Sequence, residues 1–145
     1  MMNDDCLKLS NQLCFPLYVC AKEITRKYAP ILKVLDLTYT QYITLMVMWE
    51  NEQIEMKDLE NTLYLDSGTL SPVLNKLENK GYIVKERDKS DSRNINIKIT
   101  ESGKSLKEKL KSVPEQIGSC VCLSPEEAST LYTLLYKVIG NINKN

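Results

Sequence analysis

The residue of this sequence most suited to chemistry is Cys14, which stands beside Phe15 and one helical turn before Tyr18 in the run NQLCFPLYVC. A thiol in such apolar surroundings is either a small core residue or a group that reacts as its thiolate. The chain of 145 residues has 5 cysteines and no histidine, so it lacks the usual general base and the commonest metal ligand. An odd number of cysteines does not indicate a disulfide framework, and a redox role for one thiol is the sharper hypothesis.

Length and composition predict one soluble, cytoplasmic domain. A hydrophobic content of 43% is ordinary for a globular protein of 145 residues. Residues 1–9 contain Asp4 and Asp5 in place of a basic start and an apolar run, which argues against a signal peptide. No stretch approaches the roughly 18 consecutive apolar residues that a membrane span needs.

The charge pattern is more informative than the net charge, which is zero. Residues 50–66 contain six acidic side chains and one basic side chain, whereas residues 76–98 contain seven basic and four acidic side chains. A basic patch on a neutral chain is typical of a DNA-binding protein that uses one face. A solvated surface of mixed charge is the alternative, and charge alone favours it.

The first two helices are predicted from apolar spacing and capping residues. Apolar side chains recur every three or four residues over 13–28, where Pro16 must lie in the first turn or at a bend. Pro30 is expected to end this helix. Thr38 and Gln41 then form a capping box at the start of a strongly apolar second helix.

The middle of the chain predicts two more helices and a hairpin. A short helix covers residues 56–63, and Ser67 caps a fourth helix that ends at Gly81. Beyond Gly81 the apolar period changes to two in the β-branched runs 82–88 and 94–100. This change predicts two antiparallel strands joined by a short tip.

The last third of the chain predicts two further helices. Thr100 caps the first of them, and Ser124, followed by proline and then by Glu127, begins the last. The predicted fold is therefore mainly α with a small β-hairpin. Three compact helices followed by a hairpin indicate a winged helix-turn-helix.

In such a fold the last of the three compact helices can enter the major groove of DNA. It begins with the small hydrogen-bonding residues Ser67, Thr69 and Ser71. Further along, Asn75 can pair with an adenine edge and Lys76 can contact guanine or phosphate. The first two residues also have a simpler explanation, because they can be cap residues only.

The hairpin tip carries the motif D-S-R, in which Asp91 precedes Arg93 by two residues. Arg93 can enter the minor groove, and Asp91 can hold its guanidinium through a charge-assisted pair. A turn with two solvated charges is the default explanation for an isolated motif of this kind.

Together these stretches resemble the MarR family of bacterial repressors, and more narrowly its OhrR-like branch, which senses organic hydroperoxides. The resemblance covers most of residues 9–103. It rests on the segments QLCFPLY, KYAPILKVLDLTYTQY, LYLDSGTLSPVLNKLENKGYIVKERDKSDSR and ITESGK. LDSGTLSPVL together with LCF is specific to this branch, whereas D-x-R in the wing indicates only the wider family.

The resemblance implies an obligate homodimer bound to double-stranded DNA. Residues 1–37 and 101–145 would form the dimerisation helices, and residues 38–100 the winged helix-turn-helix lobe of a single MarR-type domain. Two-fold symmetry implies a palindromic operator. No cofactor is expected, and the protein would be a switch and not an enzyme.

By the same resemblance Cys14 matches the peroxide-sensing cysteine. Tyr28 and Tyr39 match tyrosines of the partner subunit whose hydroxyls hydrogen-bond the sulfur. Phe15 and Tyr18 would help to form an apolar pocket that favours organic hydroperoxides. Oxidation of the thiolate to sulfenic acid, followed by condensation with a thiol, would release the operator.

The thiol that condenses with Cys14 is open at this point. Either Cys120 or Cys122 of the other subunit can supply it, or a small cellular thiol can. Cys20 is interpreted as a core residue and Cys6 as a loose N-terminal thiol.

Three other functions fit some of these residues. A MarR-type repressor released by a small aromatic anion would make Cys14 structural. Cys120 and Cys122 with one more cysteine would form an incomplete soft-metal site, so no metal is expected. A thiol peroxidase would need turnover and a recycling partner, and a basic winged face would serve no purpose in it.

Overall fold

The structure, a computed structural model, describes residues 4–91 and 93–143. Residues 1–3, on which the expectation about a signal peptide partly rests, lie outside the described residues. Ser92, the middle residue of the D-S-R motif, lies outside them as well. Two short 3-10 segments, Asp4–Leu7 and Leu9–Asn11, precede the helices. The helices are α1 (Cys14–Lys33), α2 (Tyr39–Asn51), α3 (Met56–Leu63), α4 (Ser67–Asn79), α5 (Glu101–Leu110), α6 (Val113–Val121) and α7 (Pro125–Ile142). The strands are β1 (Gln53–Glu55), β2 (Ile83–Arg87) and β3 (Ile95–Ile99).

The predicted fold class is confirmed. Helices α2, α3 and α4 are followed by the hairpin of β2 and β3, which is the element order of a winged helix-turn-helix. Among the helices of the described residues, none is long and apolar enough to cross a membrane.

The chain divides into two compact units, Met1–Val113 and Pro114–Asn145. The first unit has a core in which apolar side chains of α2, α3, α4 and the sheet meet. Its almost completely buried members include Leu45, Met48, Leu59, Leu70, Leu74, Leu77, Ile83 and Ile97. Burial of one such side chain stabilises the fold by about 1.5–3 kcal/mol. This core therefore holds α4 firmly beside the wing, which is the hairpin of β2 and β3.

Helix α1 begins at Cys14, which places Pro16 in the first turn. There the missing N–H of proline has no partner in the helix to lose. The expectation that Pro30 ends the helix is wrong, because α1 continues to Lys33. Proline removes a single backbone bond so near the end, and Leu32, which is 0% exposed, anchors the last turn in the core.

The caps of α2 and α4 are set by side chains. The Thr38 hydroxyl accepts from the Gln41 N–H at 3.3 Å, and Gln41 Oε1 accepts from the Thr38 N–H at 3.1 Å, which confirms the capping box. The predicted cap at Ser67 is wrong by one residue. Asp66 caps α4, and its carboxylate accepts from the Thr69 N–H at 2.8 Å. A carboxylate there also interacts favourably with the helix dipole.

The predicted hairpin is confirmed, with Ile83 opposite Ile99 in the antiparallel pair of β2 and β3. β3 also pairs with β1, where Ile54 lies opposite Ile97, so the strand order is β1-β3-β2. The sequence did not predict β1, because three residues are too few to show an alternating pattern.

Two glycines shape the junctions around the wing. Gly81 has a φ of 76° and follows α4 as its predicted stop, a conformation that side chains with a Cβ disfavour. Gly103 lies in the first turn of α5, where a Cβ would overlap the Tyr82 carbonyl oxygen and lie 2.8 Å from Ile99 Cγ1. The Gly103 carbonyl also accepts a hydrogen bond from Trp49 Nε1 at 2.9 Å.

Replacing Gly103 with Ala should lower the free energy of unfolding by about 2 kcal/mol, because the new methyl group displaces backbone instead of a flexible side chain. Denaturant unfolding measures the change. Gly118→Ala is the matched control, since a Cβ at this helical position meets nothing within 4 Å in the chain. The control should leave stability unchanged or raise it by up to about 1 kcal/mol. Equal stability of both variants would mean that α5 can move away from the wing at no cost.

In the second unit, Ser124 begins α7 through the predicted capping box, which is confirmed. Its hydroxyl accepts from the Glu127 N–H at 3.2 Å, and its own N–H donates to the Glu127 carboxylate at 2.9 Å. All residues of α7 are described, and none of them is buried in the chain. Leu134 and Tyr136 are 54% and 51% exposed. Because amphipathic helices are stabilised mainly by packing of their apolar face, α7 is suited to contact a partner.

Candidate functional site

Cys14 is the first residue of α1, and its side chain is exposed. At this position the thiol lies near the free N–H groups at the start of the helix. The neighbouring aromatic rings do not enclose it, since Phe15 is 41% and Tyr18 62% exposed. An apolar pocket at Cys14 therefore needs residues from outside this chain, and it stays a prediction.

The two tyrosines that were expected to act on the thiolate lie together within one chain. The ring centroids of Tyr28 and Tyr39 are 4.8 Å apart, and those of Tyr28 and Tyr42 are 5.8 Å apart. Tyr42 also lies 6.4 Å from Trp49, so the cluster continues into the core. Tyr42 was not predicted as part of this cluster, although its spacing of three from Tyr39 places both rings on one face of α2.

Burial raises the pKa of Tyr28, Tyr39 and Tyr42 above the ordinary value of 10.0. For Tyr28 the two neighbouring phenols raise the pKa further. A neutral phenol donates a hydrogen bond, whereas a phenolate only accepts. At physiological pH the hydroxyls of this cluster are therefore donors, as stabilisation of a thiolate requires.

These raised pKa values predict that stability falls as pH rises above about 10, where the unfolded chain ionises its tyrosines first. The sign follows because a phenol with a higher folded pKa binds its proton more tightly in the native state. Unfolding free energies measured over alkaline pH should show this decline, and Tyr39→Phe should make it shallower. Tyr64→Phe, at an exposed position, is the control. An identical decline in both variants would contradict the assignment to the cluster.

Cys14 and Tyr28 lie near opposite ends of the same helix. A rise of 1.5 Å per residue places their Cα atoms about 21 Å apart, whereas a hydrogen bond spans about 3 Å. One chain therefore cannot join the thiol to its expected phenol partners. Only two copies of the chain can bring them together.

All five cysteines are exposed and unpaired in the chain. The interpretation of Cys20 as a core residue is wrong, because this part of α1 does not pack into the first unit's core. Cys6 lies in the first 3-10 segment. In the second unit Cys120 is in the last turn of α6, and the Cys122 thiol donates to the Ser119 carbonyl at 2.9 Å.

The predicted DNA contacts of α4 lie along its accessible side. Ser67 and Thr69 are exposed in the first turn, and Ser71 is half-buried in the next. Asn75 and Lys76 are exposed one turn further on. The helix thus presents all five candidates, while their contacts with DNA stay predictions.

Asn75 is tied to the wing by a contact that the sequence did not predict. The Lys85 ammonium on β2 donates to Asn75 Oδ1 and forms an ion pair with Glu78 Oε2 at 3.1 Å. Glu78 Oε1 also accepts from the Lys85 N–H at 3.0 Å. The backbone hydrogen bond from Lys85, followed by that from its side chain, lowers the pKa of the Glu78 carboxyl, so Glu78 stays charged at neutral pH.

At the wing tip the predicted pair between Asp91 and Arg93 is present. Arg93 Nε lies 3.0 Å from Asp91 Oδ1, and Arg93 Nη2 lies 3.1 Å from Asp91 Oδ2. The Arg93 N–H donates to the same carboxylate at 3.1 Å. The side-chain hydrogen bond from Arg93 lowers the pKa of Asp91, so the pair stays charged. The carboxylate fixes the direction of an otherwise exposed guanidinium.

A cavity of about 550 Å³ opens between α1, α2 and α4. Its lining consists of Thr25, Ala29, Lys33, Asp36, Leu37, Thr38, Tyr39, Gln41, Lys76 and Lys80. Lys80 is already paired with Asp36 at 2.9 Å, whereas Lys33 and Lys76 are exposed at the rim. Because Tyr39 belongs both to the lining and to the phenol cluster, the cavity adjoins the expected sensor tyrosines.

Within residues 4–91 and 93–143, no group of three or more His, Cys, Asp or Glu side chains is placed to hold a metal ion. Cys120 and Cys122 thus have no third ligand in that part of the chain.

A helix with an accessible polar side, followed by a wing that carries a fixed arginine, defines the class of winged helix-turn-helix DNA-binding regulators. The family model described as "Transcriptional regulator SarA/Rot" matches residues 26–110, and the chain belongs to this family. Its relatives are transcriptional regulators, and the resemblance to MarR-type proteins is confirmed.

Two curated relatives match over nearly the whole chain. The HTH-type transcriptional regulator SarZ of Staphylococcus haemolyticus is 46% identical over 133 residues, which are 92% of this chain and 90% of that protein. The organic hydroperoxide resistance transcriptional regulator of Bacillus subtilis is 40% identical over 140 residues, 97% of this chain and 95% of that protein.

Solved structures of AbfR share the fold. Reduced AbfR bound to DNA superposes with a TM-score of 0.79 at 30% identity, covering 97% of this chain and 99% of that chain. Disulfide-formed AbfR superposes with a TM-score of 0.63 at 32% identity, covering 99% and 98%. The chain is therefore a DNA-binding transcriptional regulator of the MarR and SarA type.

Proposed function

We propose that this protein is a repressor that senses organic hydroperoxides by oxidation of Cys14 and then releases a palindromic operator. The observation that carries the proposal is the distance between the thiol, at the start of α1, and the phenol cluster, in which Tyr39 of α2 lies against Tyr28 of α1. Cys14 is exposed at the start of α1, and Tyr28 and Tyr39 form a pair of neutral donors that can stabilise a thiolate. The names of the relatives agree, since one is an organic hydroperoxide resistance regulator and AbfR occurs in reduced, DNA-bound and disulfide forms.

A homodimer supplies the second copy that this site needs. Residues 1–37 and 101–145 hold apolar side chains that the chain itself leaves uncovered, such as Leu13 at 72% and Leu134 at 54% exposure. Packing of two copies would cover these residues and bring Tyr28 and Tyr39 of one subunit to Cys14 of the other. Residues 38–100 of each subunit then meet one half of a two-fold operator.

The chemistry has two steps. The Cys14 thiolate attacks the outer oxygen of the hydroperoxide; the O–O bond breaks, the alkoxide leaves as an alcohol after taking a proton, and the sulfur becomes sulfenic acid. A second thiol then attacks that sulfur, a disulfide forms and water leaves. Phe15 and Tyr18 would line the approach for an apolar peroxide. The protein is consumed or recycled as a switch and does not turn over.

Oxidation acts on DNA binding through the phenols. A thiolate accepts hydrogen bonds from Tyr28 and Tyr39, whereas an oxidised and bulkier sulfur no longer fits between them. The subunits shift, and the two copies of α4 lose the spacing that the operator demands. A difference of roughly 3–4 kcal/mol between the two states is enough for a release of a few hundredfold.

The second thiol comes either from Cys120 or Cys122 of the other subunit or from a small cellular thiol. Both cysteines are exposed in the chain, as a resolving thiol must be. A disulfide form of AbfR, a protein of the same fold, makes a protein thiol a reasonable candidate.

Intact mass without reductant tests the proposal. One equivalent of cumene hydroperoxide should add one oxygen to the wild type or link two subunits covalently, and Cys14→Ser should remain unchanged. A covalent dimer that vanishes in Cys120→Ser or in Cys122→Ser identifies the resolving cysteine. An unchanged wild-type mass, or equal oxidation of Cys14→Ser, would overturn the peroxide sensor.

A second function is favoured by the cavity beside Tyr39. Lys33 and Lys76 at its rim suit a small aromatic anion, which would release DNA with Cys14 in a structural role. Titration of DNA-bound Cys14→Ser protein with benzoate and hydroxybenzoates distinguishes the two functions. Release that disappears in the double variant with Lys33→Met would favour the ligand-responsive repressor, and no release would exclude it for these acids.

A further inference from the structure

The side chain of Asn75 has a fixed orientation on α4. Lys85 reaches it from strand β2 and donates to the amide. An ammonium group has donors only, so the amide atom that faces it must be the oxygen, Oδ1. The amide nitrogen of Asn75, with two N–H donors, is therefore directed away from the wing.

Lys85 is itself held in place. Its ammonium is paired with Glu78 Oε2 at 3.1 Å, and its backbone N–H donates to Glu78 Oε1 at 3.0 Å. The side chain of Lys85 is 28% exposed, which leaves it less freedom than a solvated surface lysine. Glu78 lies on α4 one turn after Asn75, so helix and strand jointly fix the amide.

This arrangement changes which base Asn75 can recognise. An asparagine reads adenine by using Oδ1 and Nδ2 together, as acceptor for N6 and donor to N7. Lys85 takes one of the two lone pairs of Oδ1 and draws this oxygen toward the wing, so the donors of Nδ2 are the groups best placed for a base. Guanine is the base whose major-groove edge offers two adjacent acceptors, O6 and N7.

We propose that Lys85 is a specificity-determining positioning residue, which draws the acceptor of Asn75 toward the wing, leaves its Nδ2 donors for the base and makes it select guanine instead of adenine. This inference rests on the proposed function to the extent that α4 must lie in the major groove. It replaces the expectation from sequence that Asn75 pairs with adenine.

Selection from a pool of random DNA duplexes tests the inference, with reduced full-length protein as the binder. The wild type, Asn75→Ala, Lys85→Met and Lys98→Met are compared. Lys85→Met keeps an aliphatic stem but frees Asn75 Oδ1. Lys98→Met is the matched control, because it removes one exposed positive charge from the neighbouring strand β3, where Lys98 lies opposite Val84.

The expected result is a palindrome in which one symmetric pair of positions prefers guanine and loses that preference in Asn75→Ala. At the same positions Lys85→Met should shift the ratio of guanine to adenine by roughly tenfold toward adenine. Lys98→Met should weaken binding to all duplexes without changing the preferred base. A destabilised wing would lower affinity generally, so only an altered base preference supports the positioning role.

Three outcomes would overturn the inference. The first is a wild type that prefers adenine, or any base other than guanine, at the position that depends on Asn75. The second is an unchanged preference in Lys85→Met, and the third is a palindrome with no position that depends on Asn75. In all three the operator-binding function survives. Failure of the wild type to enrich any sequence would instead contradict the proposed function, and the inference would fall with it.

Discussion

Replacing Cys14 with Ser should leave operator binding intact and abolish its loss in the presence of an organic hydroperoxide. For the wild type we expect affinity for its selected duplex to fall a few hundredfold after oxidation, which corresponds to roughly 3–4 kcal/mol. Serine keeps the size and position of the side chain but cannot form a sulfenic acid. Titration of labelled duplex with reduced and oxidised protein measures both affinities directly.

Cys20→Ser is the matched control for this experiment. Cys20 lies on the same helix, less than two turns from Cys14. Cys20 is the seventh residue of α1, whereas Cys14 is the first. Its variant should respond to peroxide as the wild type does. Release of DNA from oxidised Cys14→Ser, or its loss in Cys20→Ser alone, would transfer the sensing role to another thiol.

Local signals in the sequence were enough to predict most elements of the fold. The capping boxes at Thr38 and Ser124 and the alternation in β3 were each visible within a few residues. Such signals fail where tertiary packing decides. Pro30 did not end α1, because the buried Leu32 outweighs one lost backbone bond, and β1 exists only through its pairing with β3.

The candidate site was predictable in its parts and not in its assembly. Family-like motifs single out Cys14, Tyr28 and Tyr39, but only the structure shows the two phenol rings in contact, with the thiol about 21 Å from Tyr28 along α1. The bond from Lys85 to Asn75 joins a helix to a strand, so no periodicity reveals it. The prediction that Cys20 is a core residue was wrong for a related reason. An apolar stripe on a helix does not tell whether the residues that pack against it come from the same chain.

Among variants that leave Cys14 unchanged, replacement of Arg93 in the wing should produce the largest loss of DNA affinity. A single arginine contact is worth about 1–3 kcal/mol, and a dimer carries two wings. Arg93→Ala should therefore weaken binding by about 100-fold or more. The dependence of the affinity on salt concentration should become less steep as well. Without Arg93 the protein neutralises less DNA charge, so binding releases fewer counterions.

Asp91→Ala tests the orientation of the Arg93 guanidinium while leaving its positive charge in place. If the carboxylate serves to orient Arg93 through the contacts of 3.0 and 3.1 Å, its loss weakens binding by about tenfold while the salt slope is kept, since the arginine remains. If Asp91 only repels phosphate, the same variant binds more tightly. Lys89→Ala, an exposed cation at the same tip, is the control for general charge and should cost less than Arg93→Ala. Tighter binding by Asp91→Ala would therefore contradict a wing in which the carboxylate directs the arginine into the groove.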